Sequence, residues 1–372
     1  MITIDLSIYL KTTQYFKLFD ILLKDETITK EAFLIEHGVT PSSYRRARLQ
    51  EVNVGSKIIE KLSTIYGYKT LEKNQILEIE KRLNDIHSKV YFKIYDTFDE
   101  DLEYVNSLIL EKNLLYPVFR LFLLFMFFNK NVSSIKIIED EEEAFKEIKK
   151  FKDFYSDSLL EIYDFIECAF MKVIPQRIKE KTDAYPMVYQ VLAAKYSNEY
   201  KYFESNYFAE KAIDIYIHDG NYKRAYFAML PLLFNLNQLG NYEEVFRISH
   251  NHILMLQSFK YEELDYNPMI KHLVVSGFAL KKYDFIIELL EKRKQLNYTE
   301  STAWLAAVYL TNKTKYESYM KEYNYQDLDD SNQNKHYLKN LDLYLKTKDK
   351  NALKALSSFE IYETLITLLK KI

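Results

Sequence analysis

Apolar positions along most of this chain recur at spacings of three and four, the period of a helix with one buried face. Residues 4–24 put Ile8, Tyr15, Leu18, Phe19 and Leu22 on one side and predict an amphipathic helix. Thr29 can cap a second helix, Lys30 to His37, with Glu31 in its first turn. Gly38 supplies a positive-φ turn position. Thr40 caps again, and Pro41 opens a third helix that continues SSYRRARLQE. Asn53-Val54-Gly55 reads as a break, Lys57–Tyr66 as a further helix ending at Gly67. Leu71–Ile94 predicts a long helix with Ile76, Ile79, Leu83, Ile86 and Val90 in step. Asp96–Asp101 reads as an acidic loop. The apolar run Leu114–Phe128 contains Pro117 and Arg120 and falls short of the roughly 20 residues a spanning helix needs, so it reads as a buried core helix. Residues 102–180 hold other helix-length apolar segments, and Glu139–Glu143 reads as the solvated start of one.

From Pro186 a second, longer period appears. Tyr189, Leu192, Ala193 and Tyr196 share one helical face; after a break near Glu204, Tyr202, Phe208, Ala209 and Ala212 continue the pattern through a second helix. Large aromatics stand where two helices are wedged apart, and alanines where they close. This resembles the tetratricopeptide (TPR) helix pair, with Tyr189 in its Trp place, Leu192-Ala193 in its Leu-Gly place, Tyr196 in its Tyr place, and Ser205 and Ala212 at later small places. One such pair cannot bury both faces and implies neighbours. Met229, Leu233, Leu236, Gly240, Tyr242 and Val245 repeat the register. Tyr202, Tyr242, Tyr283 and Tyr316 mark successive second helices at separations of 40, 41 and 33 residues. A fifth is expected near Lys350-Asn351-Ala352. Asp219-Gly220-Asn221 and Tyr266-Asn267-Pro268 are suitable breaks. Asn351–Ile372, apolar at Leu353, Leu356, Ile361, Leu365, Leu368 and Leu369, should cap the array or join a dimer contact. The plainer alternative is an irregular helical bundle.

Composition narrows the classes. The chain has 372 residues with only 6 Gly and 6 Pro, so short polar loops rather than strand-rich turns are expected. Its 33 Tyr and 24 Phe supply much of the buried surface. A net charge of −3 gives no global pull toward nucleic acid or membrane, so any basic site must be local. The one cysteine, Cys168, leaves no internal disulfide to form and suits a reducing cytoplasm. The opening MITIDLSIYLKTTQ lacks a cationic region followed by an apolar one, and no signal peptide is expected. There is no Gly-rich phosphate loop, nucleotide fingerprint or nucleophile elbow. His250 and His252 are two apart and face different ways on a helix, which makes a poor metal pair. His218-Asp219 falls at a loop, and Cys168 lies in the apolar stretch IECAFM. An enzyme, a cofactor and a bound metal are therefore not expected.

Gly38-Val39-Thr40, with Tyr44 and Ala47 as inward positions, looks like a helix-turn-helix. Thr40, Ser42, Ser43, Arg45, Arg46 and Arg48 are then the candidate DNA contacts. Short hydroxyls let the backbone approach phosphates, and Arg can bond a guanine edge bidentately. The alternative is a solvated charged face. Residues 1–67 resemble the DNA-binding domain of phage-repressor-like (Cro-like, XRE-type) regulators, with a departure at Leu34, where such motifs usually carry a small residue. The expected organisation is all-α: a helix-turn-helix domain over 1–67, a linker helix within 68–100, and a TPR-like α-solenoid over 101–372, its clearest repeats in 186–323 and its last helices capping or dimerising.

A DNA-binding head joined to such an array resembles the peptide-pheromone receptors of Gram-positive bacteria, the Rap–Rgg–NprR–PlcR–PrgX family, and the arbitrium receptors of phages. The resemblance implies a transcriptional regulator with three partners: an operator duplex, a short signalling peptide on the array's concave face, and a second copy of the chain. In that family the bound peptide changes how two DNA-binding heads are set. Register along the first helices of the pairs nominates Gln190, Asn198, Phe234, Asn237, Gln238, Lys271 and Trp304 for the peptide. Amides can donate to and accept from a peptide backbone, and the aromatics can hold an apolar side chain. Two rivals share the array: a protein-interaction scaffold without DNA binding, and a Rap-like regulator of a phosphatase pathway, in which a helical bundle replaces the helix-turn-helix.

Overall fold

The computed structural model describes residues 1–49, 55–130, 141–171, 174–179, 185–258, 267–293, 295–322 and 333–371. Among these the regular elements are twenty-one α-helices and two short 3-10 helices, with one isolated bridge between Lys69 and Asn113. The fold is all-α. Backbone contacts group it into two compact units: Met1–Lys195 with Lys211–Ala225, and Tyr196–Glu210 with Tyr226–Ile372.

In the first unit residues 4–24 are not one helix. A 3-10 helix, Ser7–Leu10, precedes α1, Thr12–Leu22. Lys11 is extended at φ −91°, ψ 125° and offers no side-chain cap. The break lets Tyr9 turn inward, where its hydroxyl donates to the Phe154 carbonyl at 2.9 Å. Then come α2 (Lys30–Glu36), α3 (Pro41–Arg48) and α4 (Gly55–Tyr66). Thr29 caps α2 and Thr40 caps α3, and Gly38 between them has φ 65°. Gly55 is thus the first residue of a helix, while Asn53 and Val54 lie outside the described residues. α3 packs on α1, α2 and α4. Phe16 meets Tyr44 edge-on at 5.1 Å, and Tyr66 stacks on Phe33 at 5.7 Å.

α5 (Lys73–Tyr91) is shorter at both ends than the periodicity suggested. Its N-terminus is fixed by the Glu72 backbone N–H donating to Gln75 Oε1 at 2.8 Å. α6 (Phe98–Leu110) begins inside the stretch expected as a loop. Asp99, Glu100 and Asp101 occupy its first turn, where they face the positive end of the helix dipole. Asp101 is also buried against Arg82, at 2.6 Å. α7 (Tyr116–Lys130) is the core helix, buried from Leu121 through Met126, and α6, α8 (Glu141–Lys150) and α9 (Asp157–Met171) pack on it. Glu139 and Asp140 lie outside the described residues. A 3-10 turn, Lys152–Phe154, separates α8 from α9, and α10 is the short Gln176–Lys179.

α11 (Pro186–Asn198), α12 (Tyr202–His218) and α13 (Tyr222–Gln238) give residues to both units. The first break therefore falls at Glu199–Lys201, slightly before Glu204. The second unit continues with α14 (Tyr242–Ser258), α15 (Asn267–Ala279), α16 (Tyr283–Glu291), α17 (Tyr298–Thr311), α18 (Lys313–Glu322), α19 (Gln333–Thr347), α20 (Lys350–Leu356) and α21 (Glu363–Leu369). Consecutive helices pack: α14 on α15, α15 on α16, α16 on α17, α17 on α18, and α19 on α20. This agrees with a helical repeat array. Tyr202, Tyr242 and Tyr283 are the first residues of α12, α14 and α16, whereas Tyr316 lies one turn into α18. Tyr266 is outside the described residues.

One turn recurs between paired helices. Tyr200, Gly240 and Lys281, 40 and 41 residues apart, adopt φ 60°, 75° and 59°. The following backbone N–H reaches back five residues each time: Lys201 to Tyr196 at 2.9 Å, Asn241 to Leu236 at 2.9 Å and Lys282 to Gly277 at 2.8 Å. These are helix ends closed by a left-handed residue. Gly277 has a packing role as well. A Cβ there would sit in ordinary contact, 3.4 Å from Ile286 and 3.5 Å from Phe246, so the position between α14 and α16 has room for a methyl group but not for a branched side chain.

The apolar stripes of the last helix and of α5 are covered within the chain. Leu365, Leu368 and Leu369 are buried as α21 packs on α15, and the Tyr344 hydroxyl donates to the Leu369 carbonyl at 2.7 Å. Ile79, Leu83 and Ile86 are buried too, with the start of the chain tied to α5 by Ile4 N–H to Asn84 at 2.7 Å and Leu6 N–H to Glu80 at 2.6 Å. Among the described residues no helix is long and apolar enough to cross a membrane.

Candidate functional sites

The first candidate site is the outer face of α3. Tyr44 and Ala47 are buried, which turns Arg45, Arg46 and Arg48 outward, all three exposed. Thr40 Oγ1 accepts from the Ser43 backbone N–H at 3.2 Å and donates to Ser43 Oγ at 2.7 Å. Those two hydroxyls are largely spent on the helix cap. Ser42 is exposed, 3.3 Å from Thr40 Oγ1. Arg48 Nε pairs with Asp20 at 3.0 Å, and Lys30 pairs with the same carboxylate. Arg45 and Arg46 have no ion-pair partner among the described residues. With Lys30, Leu34 and Ser42, the three arginines line a hollow of about 660 Å³. Two free guanidiniums beside a hydroxyl suit an anionic, hydrogen-bonding surface. The Asp20 anchor was not legible from the sequence, because it lies on α1 and only folding brings it to Arg48.

The second candidate site lies on the first helices of the pairs. Gln190, on α11, falls in the first unit, and its Oε1 accepts from the Tyr216 hydroxyl at 3.0 Å. The other six nominated residues fall in the second unit. Asn198 ends α11 and is exposed. Phe234, on α13, sits edge-on to Tyr202 at 6.5 Å and against Tyr362 at 6.1 Å. Asn237 is buried, with its Nδ2 3.1 Å from His272 Nδ1 and its Oδ1 without a partner. Gln238 Nε2 donates to Thr364 Oγ1 at 3.3 Å. Lys271 of α15 and Trp304 of α17 line one cavity of about 390 Å³, together with Asn297, Tyr298, Ser301 and Tyr337. The Trp304 ring meets Tyr319 edge-on at 4.7 Å, and its indole N–H has no hydrogen-bond acceptor. Burial pushes the His272 imidazole down to about 4, with the Lys271 charge adding to the effect. The ring is neutral at pH 7, so Nδ1 can accept the Asn237 amide proton.

Sequence reasoning missed His272, Thr299, Phe359, Tyr362 and Thr364, all of which meet this face. His272 directly follows Lys271 in α15, and Thr299 opens the polar run Thr299–Thr302 of α17, so neither is singled out by a spacing of its own. Phe359 and Tyr362 lie between α20 and α21, where no helical period marks a buried side.

Cys168 is fully buried, and burial pushes its thiol up to about 12. His252 stacks on Tyr226 and His250 on Phe246. Among the described residues no three His, Cys, Asp or Glu are grouped to hold a metal. No protein-family model, curated protein or solved structure matches the chain.

Proposed function

We propose that this protein is a DNA-binding transcriptional regulator whose helical array takes a short extended peptide that alters DNA binding, as in the Rap–Rgg–NprR–PlcR–PrgX receptors it resembles. The observation that carries the reading is Arg45 and Arg46, unpaired and exposed on a helix entered through the left-handed Gly38 turn. The opposite face of that helix is buried on α1 and α4. A helix held from behind with its charged face free is the arrangement by which a recognition helix enters the major groove. In the second unit, amides and aromatics on α13, α15 and α17 supply main-chain partners and side-chain niches of the kind an extended peptide needs. The reading makes the protein a regulator without catalysis or cofactor.

The test is selection of a binding site from randomised duplexes, followed by titration of the selected site. Arg45→Ala/Arg46→Ala should weaken binding by about 1–3 kcal/mol for each base-reading arginine and flatten the salt dependence. Unchanged affinity in a variant of unchanged helicity would remove the DNA-binding assignment and leave a protein-interaction array.

A further inference from the structure

The residues between α20 and α21 behave as a peptide would on the second site. At Phe359–Tyr362 the chain leaves the helical path. The Tyr362 backbone N–H donates to Thr299 Oγ1 at 2.9 Å, and the same hydroxyl donates to the Glu360 carbonyl at 3.3 Å. One side chain of α17 thus clips both a donor and an acceptor of the passing main chain. The aromatic side chains go to two separate niches. Phe359 packs against Tyr298 at 5.3 Å and Tyr337 at 5.5 Å. Tyr362 packs between Phe234 at 6.1 Å and His272 at 5.5 Å. Main-chain hydrogen bonds combined with side-chain niches are a general means of holding a peptide.

The fit is incomplete. Buried polar atoms of a native core are nearly all satisfied. Here Asn237 Oδ1 and the Trp304 indole N–H, on side chains 1% and 9% exposed, have no partner, nor has the Tyr362 hydroxyl of the segment itself, and such atoms occur elsewhere too, as at Ser63 and Ser249. The open cavity of about 390 Å³ that Trp304 and Lys271 line runs beside Glu360 of the segment. The face therefore offers more room than the segment uses.

We infer that Phe359–Tyr362 is an internal ligand of this face, and that the external ligand is a peptide with two aromatic side chains three residues apart and a turn between them, like the one closed here by the Ile361 N–H on the Phe359 carbonyl at 2.6 Å, which displaces it. The inference rests on the peptide-binding part of the proposed function and names the ligand's chemistry. The segment is tethered by α20 and α21, so it competes at the high effective concentration of an intramolecular partner. An external peptide binds only the fraction of molecules in which the niches are open, and its apparent affinity is reduced by that fraction.

The experiment is a fluorescence titration of a labelled peptide copying residues 358–364 into the full chain and into Phe359→Ala/Tyr362→Ala. The variant should bind about tenfold or more tightly than the unaltered chain, because its own segment no longer fills the niches. Adding Thr299→Val should reverse that gain by removing the main-chain clip. Equal affinity for both chains, or binding to neither, overturns the inference. If the double alanine variant loses helicity, Tyr362→Ala alone, which empties the niche between Phe234 and His272 and leaves Phe359 in place, is judged by the same two outcomes. Binding of the peptide by a chain that selects no duplex would leave the internal ligand standing and remove only the regulator reading.

Discussion

Two histidines are held neutral by the fold, one in each unit. His87 Nε2 lies 2.9 Å from the Tyr185 hydroxyl, and its ring stacks on Phe125 at 5.4 Å. Burial pushes it down to about 3, with the N-terminal amine and Arg224 adding to the effect. His272 is pushed down to about 4. An unfolded His titrates near 6.5, so on acidification the unfolded chain binds protons that the folded chain refuses. The stability these groups contribute is complete above about pH 6.5 and is lost as pH falls through about 4 and about 3. At pH 5 each should cost its unit about 2 kcal/mol relative to pH 7. Urea melts at the two pH values would show the loss, and His87→Gln should remove part of it while keeping a partner for Tyr185. An identical pH dependence in that variant would contradict the assignment. Neither histidine was legible in the sequence, since a single His on an apolar face has no spacing to mark it. The outward Arg45 and Arg46 were legible, because Tyr44 and Ala47 fix which side of α3 is buried.

At the level of helices, the sequence marked those elements whose ends carry a local signal. Thr29, Thr40 and Gly38 act at the positions their chemistry suggested, and Tyr202, Tyr242 and Tyr283 open α12, α14 and α16. Misplaced ends have non-local causes. Lys11 breaks the first helix so that Tyr9 can reach Phe154, and the acidic run near Asp101 becomes the first turn of α6 because Arg82 pairs with Asp101. Gly277 gives a test of pairwise packing between α14, α15 and α16. Gly277→Val would place methyl groups against Ile286 and Phe246 and should destabilise by about 1–3 kcal/mol, as overpacking does. Ile286→Ala should relieve part of that cost, so the double variant would be more stable than the sum of the two single effects. Strict additivity in urea unfolding would show that a side chain at position 277 and Ile286 do not compete for the same space.

At the level of the whole molecule, the helical period locates helices but not how they group, because grouping depends on contacts between residues far apart in the sequence. The same distance hid the return of residues 359–364 onto α13, α15 and α17, and the burial of Leu365, Leu368 and Leu369 that followed from it. The central claim is that one chain joins DNA recognition to peptide recognition and that the two are coupled. The most direct measurement is calorimetric titration of one peptide, chosen from a random library for binding to the full chain, into free protein and into protein saturated with its selected duplex. Coupling of about 1–3 kcal/mol would appear as a 5- to 150-fold difference between the two peptide affinities. By linkage, the peptide must shift duplex affinity by the same factor. Identical peptide affinities in both titrations, with binding observed in each, would contradict the claim.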